Sequence, residues 1–310
     1  MNSSRLFWDG NHWVEFNLNW NKYIMSEENI ILATRGSPLA LAQCELVRVF
    51  LGKCFPGTDV SVLKLTTTGD QRRDWSLEEQ GGKGLFTKEL EVALLEGKAD
   101  IAVHSAKDLP AVLEGGLDVV GYLPRDSVHD VFVRSDSAGK PKTIASGSPR
   151  RRAQACFRFP DADWVGIRGN VSTRLEKVSK GFADATILAA AGLKRLGIES
   201  WPGLSFDPLD LEEMVPAAGQ GAIAMEIRSN DRNRFRNIGD RETGLAVRIE
   251  KLLLKKLGLG CHSAVGAHWS DGEFLVYHEK SGFKRYEVRD EGKEKLEKAI
   301  DRIVGDLKTV

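Results

Sequence analysis

Apolar and polar residues alternate along the first half of the chain in two registers. Short runs at 30–35, 60–66, 101–104 and 119–122 read as strands. Between them, residues 38 to about 53 place Leu39, Ala42, Leu46 and Val49/Phe50 at close to helical spacing, and 87–96 puts Leu90, Ala93 and Leu94 on one helix face. Strand–helix alternation of this kind predicts a mostly parallel sheet. The scheme then repeats, with strands at 143–146, 164–168 and 186–190 and helices starting near Pro149, Val171 and Gly192. After residue 241 the pattern changes. An amphipathic helix over 241–257 precedes three short strands near 264–269, 273–278 and 284–288, and a charged helix over 291–307 follows. The prediction is an α/β chain with two similar lobes, 28–123 plus 222–238 and 128–216, and a small α+β domain over 241–310. Segments 125–130 and 214–221 are the expected crossings between lobes.

Gly-Ser-Pro stands at the same place in both repeats, as Gly36-Ser37-Pro38 and Gly147-Ser148-Pro149. Ser is a favoured N-cap and Pro a favoured first helical residue, so each copy predicts a helix start just past a strand. A common helix start explains one copy. Arg35 just before the first, and Arg150 and Arg151 just after the second, point further, because helix N-termini attract anions. Ligands of such sheets bind at strand C-terminal ends, which makes the cleft between lobes the default site.

The chain has 310 residues, 42% hydrophobic and 28% charged, as expected for a globular chain of about two or three domains. Formal net charge is zero, which gives nucleic-acid binding no support. Locally the balance is uneven: residues 150–195 hold seven Arg and three Lys against four acidic residues, which favours an acidic ligand. Cys44, Cys54, Cys156 and Cys261 form no CxxC pair, so neither a zinc site nor a disulfide framework is expected. Cys44 and Cys156 read as small core residues. No transmembrane stretch or signal peptide is recognisable. Residues 1–24, with three of the seven Trp, read as an extension without fixed order, and Met25 would serve as a start.

Four places could carry chemistry. Residues 101–110 run from a strand into Ser105-Ala106-Lys107-Asp108, where Asp108 is either an ionised cleft carboxylate or the cap of an ordinary turn. His104 there reads as a supporting core residue rather than a base. Gln80-Gly81-Gly82-Lys83-Gly84-Leu85-Phe86 lacks P-loop spacing and reads as a lid. Arg168 at a strand end and Arg174 in the next helix's first turn oppose the helix dipole, so an anion explains them better than stability does. Cys261, between glycines and a strand, reads as an exposed, usable thiol.

These stretches together resemble the porphobilinogen deaminase (hydroxymethylbilane synthase) family. The matching blocks are Ala33-Thr34-Arg35-Gly36-Ser37-Pro38, Gly81-Gly82-Lys83-Gly84-Leu85-Phe86, Val103-His104-Ser105-Ala106-Lys107-Asp108, Ser148-Pro149-Arg150-Arg151, Arg168-Gly169-Asn170-Val171 and Pro216-Ala217-Ala218-Gly219-Gln220-Gly221. The resemblance covers about residues 28 to 265. It implies two periplasmic-binding-protein-like lobes. It also implies condensation of four porphobilinogen molecules into hydroxymethylbilane with loss of ammonia, on a dipyrromethane cofactor held by a thioether.

The family's cysteine falls on Cys261 and its catalytic carboxylate on Asp108. The resemblance implies Ser105, Lys107, Ser148, Arg150, Arg151, Arg174 and Arg195 for the cofactor, and Arg35, Ser37, Gln43, Arg168 and Gln220 for substrate. Lys83 and Phe86 match loop positions. It further implies a cytoplasmic monomer with no metal and no membrane or nucleic-acid partner. The chain departs from the family at Gly147 and Pro149 around Ser148, and at Ala264, where a proline is usual. Two other readings fit the lobes: an anion-capturing protein without catalysis, and a thiol-dependent acyl transferase using Cys261.

Overall fold

The computed structural model of the chain describes residues 5–8, 13–16, 29–67, 87–236, 238–259 and 263–309. Near the start, β1 (Arg5–Trp8) and β2 (Trp13–Phe16) pair antiparallel. The first lobe holds β3 (Ile30–Arg35), α1 (Pro38–Cys54), β4 (Val60–Leu65), α2 (Lys88–Leu95), β5 (Ile101–Ser105) and β6 (Leu117–Tyr122). The second holds β7 (Asp130–Ser135), β8 (Thr143–Ala145), α3 (Pro149–Ala155), β9 (Asp163–Val165), α4 (Val171–Ser179), β10 (Ala185–Ala189), α5 (Ala190–Arg195) and β11 (Leu204–Pro208). The chain then returns to the first lobe as β12 (Ile223–Arg228).

The two sheets have one topology. Their strand orders are β4-β3-β5-β12-β6 and β9-β8-β10-β7-β11, the second read from its far edge. In each, one strand runs against the other four: β12 pairs antiparallel with β5 and β6, and β7 with β10 and β11. Each of these strands is the first that the chain enters after crossing between lobes. The expected α/β class with mostly parallel sheets is therefore observed. The helical and alternating patterns did not mark β7 or β12, because strands buried on both faces carry no period, and they did not mark the short edge strand β11, which is buried only at Leu204. Asp130, read as the end of a crossing, is the first residue of β7. The strand expected to reach Arg168 ends at Val165, and the helix expected near Gly192 begins at Ala190.

In the first lobe the sheet is covered on both faces. Cys44, Val47 and Leu51 of α1 pack on Ile30, Leu32, Ile101, Val103 and Met225, while Leu90 and Leu94 of α2 pack on Ala33 and Ala102. The third domain joins α6 (Arg241–Leu257), the meander β13 (Val265–Ser270), β14 (Glu273–His278) and β15 (Gly282–Glu287), and α7 (Lys293–Lys308). Phe274, Trp269, Leu253 and Ile300 form its core.

The crossings are fastened to each other and to the third domain. Gly221 has φ +83°, and a Cβ there would lie 2.4 Å from the Asp126 carbonyl oxygen on the other crossing, so only glycine permits this approach. Arg125 donates from Nε to the Gln220 carbonyl at 2.9 Å and from both terminal nitrogens to Glu250 of α6, at 2.7 and 3.1 Å. Glu250 also accepts from the backbone N–H groups of Gly219 and Trp269. Burial pushes its carboxyl up, but Arg125 and His268 pull it down further, and the net position is below the usual carboxylate value.

Glu250→Ala leaves the Arg125 charge without its partner, and urea unfolding is expected to show a loss of ~3–5 kcal/mol. Because the folded carboxyl is held down, the Glu250 contribution is complete above its unfolded value of about 4.3 and is lost as pH falls below it. The wild-type advantage over the variant therefore shrinks in acid; an advantage that grew in acid would contradict the assignment.

Candidate active site

Both Gly-Ser-Pro copies start helices as expected. Ser37 Oγ accepts from the Ala40 N–H at 3.3 Å and Ser148 Oγ from the Arg151 N–H at 3.4 Å, with Pro38 and Pro149 at the first helical positions. The two helix starts lie on opposite lobes. The lobes meet beside them, where Leu39 of α1 comes within 3.7 Å of the position a Cβ on Gly192 would take.

On the first lobe a cavity of about 70 Å³ is lined by Arg35, Ser37, Gln43, Ser105 and Asp108, with Thr87, Val103 and His104 completing its wall. Five residues singled out in the sequence are thus brought to one place, at the C-terminal ends of β3 and β5. The Gln43 amide and the Ser105 hydroxyl hydrogen-bond at 2.8 Å, fixing both side chains. Asp108 closes the single 3₁₀ turn Ala106–Asp108 and is exposed. That leaves its carboxylate available to a ligand.

On the second lobe the arginines are organised by a carboxylate that the sequence reading did not single out. Asp130 is fully buried. Its Oδ2 accepts from Arg150 at 2.8 Å, and its Oδ1 accepts from Arg151 at 2.7 Å and from the Gln220 amide at 3.0 Å. Burial pushes the Asp130 carboxyl up, but Arg150, Arg151 and Lys107 more than offset this and hold it well below the usual range. Arg150 also donates to the Val215 carbonyl at 2.7 Å, and Arg151 to the Ile187 carbonyl at 2.8 Å. Gln154 brackets Val215 from the same helix, donating to its carbonyl and accepting from its N–H. Arg150 is thereby a positioning residue, tying α3 to β7 and to the second crossing. Arg151 keeps a buried Nε without a hydrogen-bond partner among the described residues.

Lys107 and Arg174 lie within electrostatic reach of Arg151, and Arg168 within reach of Arg174. The Lys107 ammonium is pushed down to about 8, first by burial and then by Arg151, although Asp108 and Asp130 pull it up. It reaches Gln220 Oε1 at 3.5 Å. Arg174 is pushed down to about 10 by burial, Arg151 and Arg168. Its Nε donates to the Gly169 carbonyl, which anchors the side chain at the start of α4. Cations thus outnumber the carboxylates Asp130 and Asp108, and they depress one another. Such a field is complementary to a ligand carrying several carboxylates, and guanidinium groups match carboxylates bidentately. A carboxylate-rich group such as dipyrromethane fits this donor set.

Arg195 is placed differently. It donates to the Gly221 carbonyl at 2.5 Å and lies 3.7 Å from Asp126, so its partners are the two crossings. Lys83, Phe86 and Cys261 fall outside the described residues. Cys261 follows α6, which ends with Gly258 at φ +71°; the Leu259 N–H bonds back to the Leu254 carbonyl and the Gly258 N–H to the Lys255 carbonyl. This is a Schellman turn, and it sends the chain out of the helix just before the cysteine. Among the described residues no group of His, Cys, Asp and Glu could hold a metal ion, and no helix is long and apolar enough to cross a membrane.

Asp130→Asn removes the negative charge shared by Arg150 and Arg151. Chemical unfolding is expected to show a loss of ~3–5 kcal/mol. The wild-type carboxyl is held down, so its contribution is full above about 3.9 and fades as pH falls. The variant should show a flatter acid limb, and equal acid sensitivity in both proteins would contradict the role given to Asp130.

Residues 30–236 match the family described as "Porphobilinogen deaminase, dipyromethane cofactor binding domain". The porphobilinogen deaminase of Burkholderia vietnamiensis strain G4 is 42% identical over 257 residues, covering 80% of this chain and 76% of the relative. That of Acidithiobacillus ferrooxidans strain ATCC 53993 is 41% identical over 255 residues, covering 79% and 82%. That of Nitrobacter winogradskyi is 44% identical over 257 residues, covering 78% and 80%. With the family model matching residues 30–236 and these relatives more than 40% identical over most of their length, the chain belongs to the porphobilinogen deaminase family.

Proposed function

We propose that this chain condenses four porphobilinogen molecules into hydroxymethylbilane, releasing ammonia at each addition, with Asp108 as the catalytic carboxylate. The observation that carries the reading is the pairing of an exposed carboxylate with an excess of cations across one cleft. Each pyrrole of the substrate bears two carboxylates, so a growing chain needs many cationic partners. Loss of ammonia leaves a cation on the substrate, which an ionised carboxylate stabilises. Asp108 can also accept from the pyrrole N–H and take up the proton lost at the condensing carbon.

Arg35, Ser37, Gln43 and Ser105 form the first-lobe side of the site, and Ser148, Arg151, Arg168 and Arg174 the facing side. Lys107 and Gln220 bridge the two through the hydrogen bond between them. Cys261, Lys107 and Arg151 would hold the dipyrromethane cofactor, which when bound would supply the pyrrole end for the first substrate unit. Arg150 shapes this side through Asp130, and Arg195 holds the crossings in place beside it. The reading takes the chain as a cytoplasmic monomer acting on a small molecule, and a net charge of zero gives nucleic-acid binding no support.

Asp108→Ala should keep the fold, since the side chain is exposed, and lower turnover by roughly 10²–10⁴-fold. Near-normal formation of hydroxymethylbilane, read by its cyclised porphyrin absorbance, would refute the assignment. A second outcome concerns Lys107. Its ammonium is held at about 8, so part of it is neutral in mildly alkaline solution, and an incoming carboxylate restores the charge. Loading apoprotein with porphobilinogen in that range should take up protons, seen as a buffer-dependent heat by calorimetry. Lys107→Met should abolish that uptake.

A further inference from the structure

A second cavity, of about 560 Å³, lies at the seam between the second lobe and the third domain, and the condensation chemistry gives it no task. Its volume is that of a small-molecule site. The alternation of β14 builds one wall. Phe274 and Val276 turn into the core of the third domain, while Leu275 and Tyr277 turn the other way and pack on Val215 and on Ala153 of α3. The helix α3 builds another wall. Its Arg150 and Arg151 bond Asp130, and its Gln154 and Ala155 line this cavity.

The rest of the lining is mostly apolar. Phe132 of β7 and Phe159 stack with ring centroids 4.9 Å apart and planes 10° from parallel. Phe157 and Phe283 also line the cavity, and both are exposed. The charges beside it are taken up in pairs: Arg158 meets Glu213 at 3.0 Å and Arg285 meets Glu212 at 2.5 Å. Gln154 uses both ends of its amide on Val215. The Tyr277 phenol is different. The residue is only 5% exposed and lines the cavity, and its hydroxyl has no hydrogen-bond partner among the described residues.

We propose that this cavity is a second small-molecule site, which takes an uncharged, flat apolar molecule bearing one hydrogen-bond acceptor for the Tyr277 hydroxyl. The aromatic walls supply the contact area, and the paired ions leave no net charge to attract an acid such as porphobilinogen. A hydroxyl enclosed by apolar groups is unfavourable until it finds a partner, and the ligand's acceptor provides one. The phenol therefore sets the ligand's orientation, and the rings set its shape. The site stands apart from the cleft and does not rest on the condensation reading.

The test is a fluorescence titration of the full chain with Prodan, an uncharged naphthalene ketone whose emission reports its surroundings. For a molecule of that size the expected Kd is on the order of 100 µM, with emission to the blue of that in water. Tyr277→Phe keeps the ring and removes only the donor. It should raise Kd roughly fivefold, as expected for one neutral hydrogen bond, and move the bound emission further to the blue, because a hydrogen bond to the ketone shifts it to the red. Wild-type protein that does not bind the probe overturns the proposal. So does a Tyr277→Phe protein that binds it with the same affinity and emission, since the probe then sits elsewhere. Should Tyr277→Phe fail to fold, Phe157→Ser decides, because that ring is 78% exposed and its loss leaves the core intact. Weaker binding by that variant supports the site, and unchanged binding overturns it.

Discussion

One buried carboxylate orders the cationic half of this site. Asp130 lies at the start of β7 and is bonded by Arg150, Arg151 and Gln220. A lone ionised carboxylate in that position would be untenable, and so would the two guanidinium groups without it. Together they are stable, and they leave the cluster with more positive than negative charge. The remaining cations, Lys107 and Arg174, are held near others of their own sign, at positions depressed from their usual values. The protein thus maintains an electrostatic demand that a carboxylate-bearing ligand satisfies. Stability and binding are linked through the same residue.

The same carboxylate joins parts of the chain that must keep their geometry while the lobes hold a lengthening product. Gln220 belongs to the second crossing, Asp130 follows directly on the first, and Arg150 reaches Val215. Glu250 performs a parallel task on the other side, holding Arg125, Gly219 and Trp269 so that the third domain is fixed to both crossings. Gly221 lets the two crossings touch backbone to backbone. The arrangement anchors the lobes at the crossings, and Cys261 follows in sequence on the helix that carries Glu250.

The local features were legible in the sequence. Ser37 and Ser148 announce their caps because N-capping depends on residues within one turn, and α6 was readable to both ends from its amphipathic pattern and Gly258. The repeat of Gly-Ser-Pro corresponds to a true repeat of sheet topology, with β3 and β8 at equivalent positions. Asp130 was not legible, because its partners lie 20, 21 and 90 residues away and no local spacing links them. The antiparallel strands escaped for a related reason: buried on both faces, β7 and β12 show continuous apolar runs with a charged residue placed by tertiary contacts alone. The crowding of arginines at helix starts was readable in the sequence, but their partners were not. That Arg150 faces an internal carboxylate, and Arg195 the crossings, follows from three-dimensional neighbours.

The central claim is that the cation-rich cleft is built around a carboxylate-rich group tethered to Cys261. It is tested most directly by the intact mass of the active protein beside that of Cys261→Ser. The account predicts active wild-type protein heavier than its chain by two porphobilinogen-derived pyrrole units, and a variant at chain mass without activity. Active wild-type protein at the mass of the bare chain would contradict it.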